Sequence, residues 1–343
     1  MPASSSIISQ EKLIVKTNAL FNEKKVTKMK KKLLVFALLP LMMSSLTGCQ
    51  KKAKWNIGIV QFGPIPALTK ATKGFKKAVS AGLGKENVTF EYKDAQMDST
   101  IATQIVSTFI SKNKSMIMAN ATPCVKAAAT ATATIPVVGT SVTSYEAAFN
   151  DHIPSNVTGT SDLADLELQA QMIFDWFPTA TRVGIFYCAA EPNSKFQYDH
   201  MRANILALKP TATVEQITFS TTEEITMALN GHINSVDVLY IPTDDTCANN
   251  ATAIHNVCRN ANKPVIAGEA GICADCGLAT MSIDYFHLGE ITGEMAVEIL
   301  KEGKRPSELE IRYDTSLAKL YNASILAELG MTEADVPEGY EAL

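Results

Sequence analysis

Two stretches of this chain follow one plan at nearly one spacing, and that repeat limits the folds open to it. Met116–Asn120 (MIMAN) reads as a buried strand. The chain turns at Ala121-Thr-Pro123 into an Ala/Thr-rich helix, re-enters a strand at Pro136-Val-Val-Gly-Thr140 and ends in a polar loop, Ser141-Val-Thr143. Later, Val236–Ile241 reads as a strand, Pro242–Asp245 as a loop, Thr246–Ala261 as a helix and Pro264–Gly268 as a strand, with Glu269 after it. Gly58-Ile-Val and Gly184-Ile-Phe lie 126 positions apart (184 − 58), and the pairs Pro136-Val and Pro264-Val lie 128 apart (264 − 136). Strand–loop–helix–strand units build parallel α/β sheets, and two copies at a constant offset imply two similar lobes. In open sheets of this kind ligands sit beyond the carboxyl ends of the strands.

At 343 residues, 46% hydrophobic and 19% charged, the chain suits two globular domains, each able to bury a core. The formal charge of −4 hides a split. Residues 1–48 hold eight lysines and two glutamates, a charge of +6, which leaves −10 for the remainder. No basic run with interleaved aromatics occurs after residue 54, and so acidic a remainder argues against a nucleic-acid partner.

The amino terminus carries its own signal. Met29-Lys-Lys-Lys32 precedes an apolar run, Leu33–Leu46, and then Thr47-Gly48-Cys49. A basic start, a short apolar centre and small residues before a cut describe a secretory signal, and the run is too short for an ordinary membrane-spanning helix. Leu46-Thr-Gly-Cys49 resembles the bacterial lipobox, which implies that Cys49 becomes the lipidated (palmitate-bearing) amino terminus. Residues 1–28 then form an upstream extension before a better start at Met29, 29–48 a signal peptide and 49–54 a polar tether.

Along the mature chain, Ile57–Phe62 is the first strand and Ala67–Leu83 an amphipathic helix. Asn156–Asp162 reads as an extended crossing, and Leu163–Phe177 as a helix closed by Pro178. A second lobe opens at Val183. Leu278–Asp284 is expected to cross back, Leu288–Leu300 to rejoin the first lobe, and Ile311–Asp314 to cross a third time.

These features together resemble the substrate-binding proteins of ABC transporters, in particular the group containing tryptophan- and tyrosine-type amino-acid receptors. The resemblance rests on Ile57-Gly-Ile-Val-Gln61, Pro66-Ala-Leu68, Ala121-Thr-Pro123, Ile135-Pro-Val137, Asn156–Asp162, Tyr240-Ile-Pro-Thr-Asp244, Pro264–Glu269, Gly277–Thr280 and Ile283-Asp-Tyr285, in order over nearly the whole mature chain. It implies an α/β type I periplasmic-binding-protein fold, with two Rossmann-like lobes of parallel sheet joined by hinge crossovers. The expected lobes are 55–157 with 285–310, and 158–284 with 311–343. Two positions depart from the family's usual pattern: Ile65 stands where His is common before Pro-Ala-Leu, and Asp245 where Asn is common after Pro-Thr-Asp.

An α-amino acid needs one site for a carboxylate and one for an ammonium group. Thr122, Ser141 and Thr143, beside a helix start, suit the carboxylate. Asp244 and Glu269 suit the ammonium group, and Gln61 is a further candidate, as a ligand donor or as a plain polar surface residue. Asp244 and Asp245 are equally open to helix capping, and Thr122 and Thr143 to turn formation. Phe62, Tyr145, Tyr187 and Phe286 are candidate side-chain walls, or core.

Six further cysteines remain: Cys124, Cys188, Cys247, Cys258, Cys273 and Cys276. Cys273-Ala-Asp-Cys276 is a CxxC in an expected loop, which reads as a local disulfide or as free thiols. No second ligand pair stands at zinc spacing, so no metal is expected. The chain has no HExxH, P-loop, GxGxxG or GxSxG, so neither cofactor nor catalysis is expected. The resemblance therefore implies a lipid-anchored extracytoplasmic receptor that hands a small solute to a membrane permease and its ATPase. An amino acid, aromatic or branched, leads over a sugar, because sugar sites usually stack aromatics on ring faces and aromatics are only 7% of the chain; a receptor for a sugar, nucleoside or peptide is an alternative. A sensory co-receptor is the alternative.

Overall fold

In the computed structural model, residues 53–343 are described; the expected signal peptide, the upstream extension and Cys49 lie outside them. In chain order the first lobe runs β1 (Trp55–Gln61), α1 (Pro66–Leu83), β2 (Val88–Asp94), α2 (Ser99–Ser111), β3 (Met116–Asn120), α3 (Thr122–Ala131), β4 (Val137–Val142), α4 (Tyr145–Phe149) and β5 (Val157–Ser161). The second runs α5 (Leu166–Trp176), β6 (Arg182–Cys188), α6 (Pro192–Leu208), β7 (Thr213–Phe219), α7 (Ile225–His232), β8 (Val238–Ile241), α8 (Asp245–Asn249), α9 (Ala251–Asn260), β9 (Val265–Ala267), α10 (Ala270–Asp275) and β10 (Ala279–Ile283). Then follow α11 (Tyr285–Glu302), β11 (Arg312–Tyr313), β12 (Leu317–Tyr321), α12 (Ala323–Glu328) and β13 (Glu341–Ala342). None of the described helices is long and apolar enough to cross a membrane.

The first sheet has the order β11-β5-β4-β3-β1-β2, parallel throughout. The second has the order β13-β12-β10-β9-β8-β6-β7, and in it β12 runs antiparallel to β10. Both faces of each sheet are covered, which is why their central strands are apolar without clean alternation. In the first sheet Ile57, Ile59, Met116 and Met118 meet Phe75, Val79, Ala296 and Ile299 of α1 and α11. Val60, Ile117, Ala119 and Val137 face α2 and α3 instead. In the second sheet Val183, Ile185 and Tyr240 pack on α5 and α6, while Phe186, Leu239 and Ile241 pack on α7 and α9.

Several helix starts follow directly from sequence. Asp98, Asp165, Asp284 and Asn322 each accept hydrogen bonds from the first turn of the helix they precede, a cap of about 1 kcal/mol apiece. The helix expected over 246–261 is broken at Asn250, whose Nδ2 donates to the Thr246 carbonyl at 2.8 Å and ends α8 there.

The expected lobe boundaries shift in two places. β5 continues in the first sheet to Ser161, past the expected boundary at 157, and Arg312-Tyr313 pairs beside it, past the expected boundary at 310. Both shifts have one cause: β5 would otherwise be a bare edge, and Thr160 and Ser161 find partners in Arg312 and Tyr313. The chain thus passes between lobes after Ser161, between Ile283 and Tyr285, and between Tyr313 and Leu317.

Two buried carboxylates tie the three passages together. Asp162 Oδ2 accepts the Tyr285 hydroxyl at 3.0 Å, linking the first passage to the second. Asp314 accepts the Asp284 N–H at 3.3 Å and the Ser316 N–H at 2.9 Å, and lies 3.3 Å from His287 Nδ1, linking the third passage to the second.

The pairing of α1 with α11 depends on glycine. A Cβ on Gly74 would lie 2.0 Å from the Phe286 carbonyl oxygen, and one on Gly289 would lie 2.0 Å from that of Ala71. Backbone cannot yield as a flexible side chain can, so Gly289→Ala should destabilise the protein by about 2 kcal/mol despite alanine's better helix propensity; equilibrium urea unfolding measures it.

Burial pushes Asp162 up to about 6, against the opposing bonds from Tyr285 and Thr143. Between its ordinary value of 3.8 and about 6, the folded state holds a proton that the unfolded chain lacks. Stability should therefore rise as pH falls from 7 to 5, by about 1 kcal/mol from this group. Asp162→Asn should flatten that part of the profile, read from melting temperatures of the ligand-free protein.

Candidate functional site

The carboxyl ends of both sheets border one cleft. Toward the hinge lies a cavity of about 390 Å³ lined by Lys70 and Tyr285 of the first lobe, Glu269 and Ser282 of the second, and Ser316 of the third passage. Toward the mouth lies another of about 330 Å³, between Phe62, Met97 and Pro123 on one side and Glu191, Thr246 and Asn250 on the other.

The first lobe contributes hydroxyls. Thr122 opens α3 and lines a crevice that reaches Ala190 and Pro192 of the second lobe. Ser141 is buried with its Oγ unpartnered among the described residues, and it has φ 53 in a strand. Ala121 has φ 84, so the chain turns sharply both before α3 and near the end of β4. Such left-handed non-glycine residues cost energy and cluster where geometry serves a ligand. Thr143 donates to Asp162 Oδ1 at 3.2 Å, which leaves its oxygen as an acceptor rather than a free donor.

The Gln61 side chain is engaged within its own lobe. Its Nε2 donates to the Gly63 carbonyl at 2.7 Å and its Oε1 accepts from Thr72 at 2.7 Å, so the side chain is turned into its own lobe. Asp244 takes the capping reading left open for it. It is 1% exposed, and its carboxylate accepts from Cys247 N at 2.7 Å, Cys188 N at 2.8 Å and Ser194 Oγ at 2.7 Å. It caps α8 and ties α6 and β6 to it, so no ammonium group is needed to satisfy it.

Glu269 also caps a helix, accepting from Gly271 N at 2.6 Å and from Ile272 N, yet it lines the hinge cavity and keeps lone pairs for a further donor. Burial raises its pKa. Glu191, missed in the sequence reading, accepts from the Asp245 and Thr246 N–H groups at 3.1 and 2.8 Å, and from the Thr246 hydroxyl at 2.6 Å. Its position was legible: it follows β6 as Thr122 follows β3, at a carboxyl strand end. The start of α8 is thus saturated by Glu191 and Asp244 and offers a ligand carboxylate nothing.

Asp245 differs from its neighbours. Its half-buried carboxylate takes no hydrogen bond among the described residues. Burial raises its pKa well above the ordinary carboxylate range, with the charges of Glu191, Asp162, Asp244 and Glu269 adding to the effect.

The candidate aromatic walls are mostly core. Tyr145 and Tyr187 are buried, Tyr187 stacking on Tyr198 at 5.5 Å, and Phe286 lies under Lys77 on the α1–α11 surface. Phe62 lines the mouth cavity. All six described cysteines are free and buried. Cys273 lies in α10 rather than in the expected loop, and burial pushes its thiol up.

Comparison with known proteins places this geometry. The family described as ABC transporter substrate binding protein matches residues 56–336. A tyrosine-binding protein of Clostridioides difficile (strain R20291) is 32% identical over 310 residues, 84% of this chain and 89% of the relative. A Streptococcus pneumoniae ABC domain solved in complex with L-Trp superposes with TM-score 0.76 at 26% identity, covering 84% of this chain and 100% of that one. A ligand-free, open substrate binding protein with adhesive properties from Clostridium difficile gives TM-score 0.65 at 32% identity, over 84% and 99%. On the family match over 56–336, and on its two α/β lobes about a cleft, the chain belongs to the ABC transporter substrate-binding protein family.

Proposed function

We propose that this protein is the lipid-anchored extracytoplasmic receptor of an ABC importer and that it captures an α-amino acid between its lobes. The observation that carries the reading is the division of polar chemistry across the cleft. Hydroxyls of Thr122 and Ser141 stand on one lobe and the carboxylates of Glu269 and Asp245 on the other. A zwitterion has the matching pair of ends. The tyrosine-binding relative and the neighbour solved with L-Trp support the same class.

In this reading the ligand carboxylate lies against Thr122 and Ser141, and Ser141 Oγ gains the partner it lacks. The ammonium group lies against Glu269, whose two capping bonds fix the carboxylate without using all its lone pairs. Rotation about the passages at Asp162, Asp284 and Asp314 closes the lobes on the ligand, which is then handed to a permease powered by an ATPase. Membrane attachment is through Cys49, on the strength of Leu46-Thr-Gly-Cys49.

A thermal-shift screen of the purified protein, freed of carried-over ligand, against the common amino acids, sugars and nucleosides tests the class. An amino acid at about 100 times its dissociation constant should stabilise by about 2.7 kcal/mol; a response to sugars or nucleosides alone would overturn the reading. Thr122→Val should weaken that amino acid about tenfold by calorimetry while leaving the ligand-free melt unchanged. Cys49→Ser should move the protein from the membrane fraction to the soluble one, and full retention on the membrane would rule out the anchor.

A further inference from the structure

We infer that Met97 and Asn250 read the ligand's side chain in the mouth cavity, Met97 by packing on its apolar face and Asn250 by accepting a hydrogen bond from its rim. The inference rests on the amino-acid reading and names the residues that set its selectivity.

Two local irregularities, one in each lobe, meet at this cavity. In the first lobe Gln96 and Met97 are consecutive non-glycine residues in the left-handed region, with φ 54 and 62. Bonds to the end of β1 hold them there: the Ala95 N–H donates to the Gln61 carbonyl at 2.8 Å and the Met97 N–H to the Phe62 carbonyl at 2.7 Å. The Gln96 N–H donates to Asp94 Oδ1 at 2.7 Å. The Met97 thioether lies over Gly63, where a Cβ would come 2.4 Å from the sulfur. Met97 thereby lines the mouth cavity beside Phe62 and Pro123. Such a turn costs energy, and strain of this kind gathers where geometry serves a ligand.

In the second lobe the helical run expected from Thr246 to Ala261 breaks at Asn250, which has φ −118 and ψ 18. Its Nδ2 donates to the Thr246 carbonyl at 2.8 Å, and that bond fixes the direction of the amide. Its Oδ1 takes no donor among the described residues, and Asn250 lines the mouth cavity opposite Met97. An amide oxygen has two lone pairs to offer.

The walls of the cavity therefore differ in kind. Phe62, Met97 and Pro123 make the first lobe's side apolar, while Thr222, Thr246 and Asn250 make the second lobe's side polar. Ser99, Pro123 and Ala190 line both this cavity and the crevice at Thr122, so a ligand whose carboxylate meets Thr122 has the mouth cavity within reach of its side chain. The matching occupant is a flat apolar side chain with a hydrogen-bond donor on its rim, a phenol hydroxyl or an indole N–H. A methionine sulfur makes favourable contacts with aromatic rings, and its flexible stem adapts to their shape. A phenyl or branched aliphatic side chain brings no donor and would leave the Asn250 oxygen shut away from water as the lobes close.

The test is isothermal titration of the purified, ligand-stripped protein with L-tyrosine, L-tryptophan, L-phenylalanine and L-leucine, repeated on Asn250→Ala, Met97→Ala and Met97→Leu. The expected result is that L-tyrosine or L-tryptophan binds at least about tenfold more tightly than L-phenylalanine and L-leucine. Asn250→Ala should bring that ratio toward one while L-phenylalanine stays within about threefold of its parent affinity. Lost folding would weaken every ligand alike and leave the ratio where it was. Met97→Ala should weaken the aromatic ligands about tenfold, and Met97→Leu, which conserves volume, should restore most of that loss. L-phenylalanine or L-leucine binding as tightly as the two ring donors, or another amino acid binding while those two do not, leaves the receptor reading standing and overturns this inference. A parent-like ratio in Asn250→Ala, or parent-like aromatic affinity in Met97→Ala, removes that residue from the role. Binding of no amino acid at all overturns both readings.

Discussion

The carboxylates of Asp244 and Glu269 are held by the helices that begin beside them, and the chemistry of the cleft depends on that arrangement. A parallel strand ends at the cleft edge, the chain turns, and a helix starts with several N–H groups lacking partners inside the helix. Asp244 satisfies Cys247 N and Glu269 satisfies Gly271 N and Ile272 N, while Glu191 reaches over from the end of β6 to satisfy Asp245 N and Thr246 N. Three carboxyl groups are thereby gathered at the second lobe's edge, each with hydrogen-bond partners. Asp245 is left over from this pairing, and its neighbours raise its pKa through repulsion as well as burial.

The hinge uses the same chemistry for a mechanical purpose. Asp162 and Asp314 sit on the outer two passages and both bond to the middle one, through Tyr285 and through the Asp284 N–H. The three passages are therefore cross-linked to one another. Asp162 also accepts from Thr143, so the same side chain joins the passages to the segment that follows β4. The α1–α11 contact anchors this hinge to a rigid body: Gly74 and Gly289 bring two helix backbones together immediately after the middle passage.

Much of the fold was legible. Apolar five-residue runs followed by helical periodicity gave parallel α/β units, and the constant offset between Gly58 and Gly184 gave two of them. The lobe boundaries near 157 and 310 shifted because edge pairing between β5 and β11 involves residues far apart in sequence, and no local pattern specifies it. The break in the helix after Asn249 hung on one side-chain amide choosing the Thr246 carbonyl.

The sequence by itself determined which residue types stand at the cleft, because strand ends are fixed by local hydrophobic patterning: Thr122, Ser141, Asp244, Asp245 and Glu269 all follow apolar runs. What only the tertiary structure decided is which of them are free. Asp244 and Asp245 are adjacent and chemically identical in sequence, yet one takes three donors from β6, α6 and α8 and the other takes none. Gln61 likewise is consumed by Thr72 and Gly63. A polar side chain's availability depends on donors brought in from segments some 50 residues away, as Ser194 is to Asp244, and that proximity exists only once the sheet and its helices have closed around it.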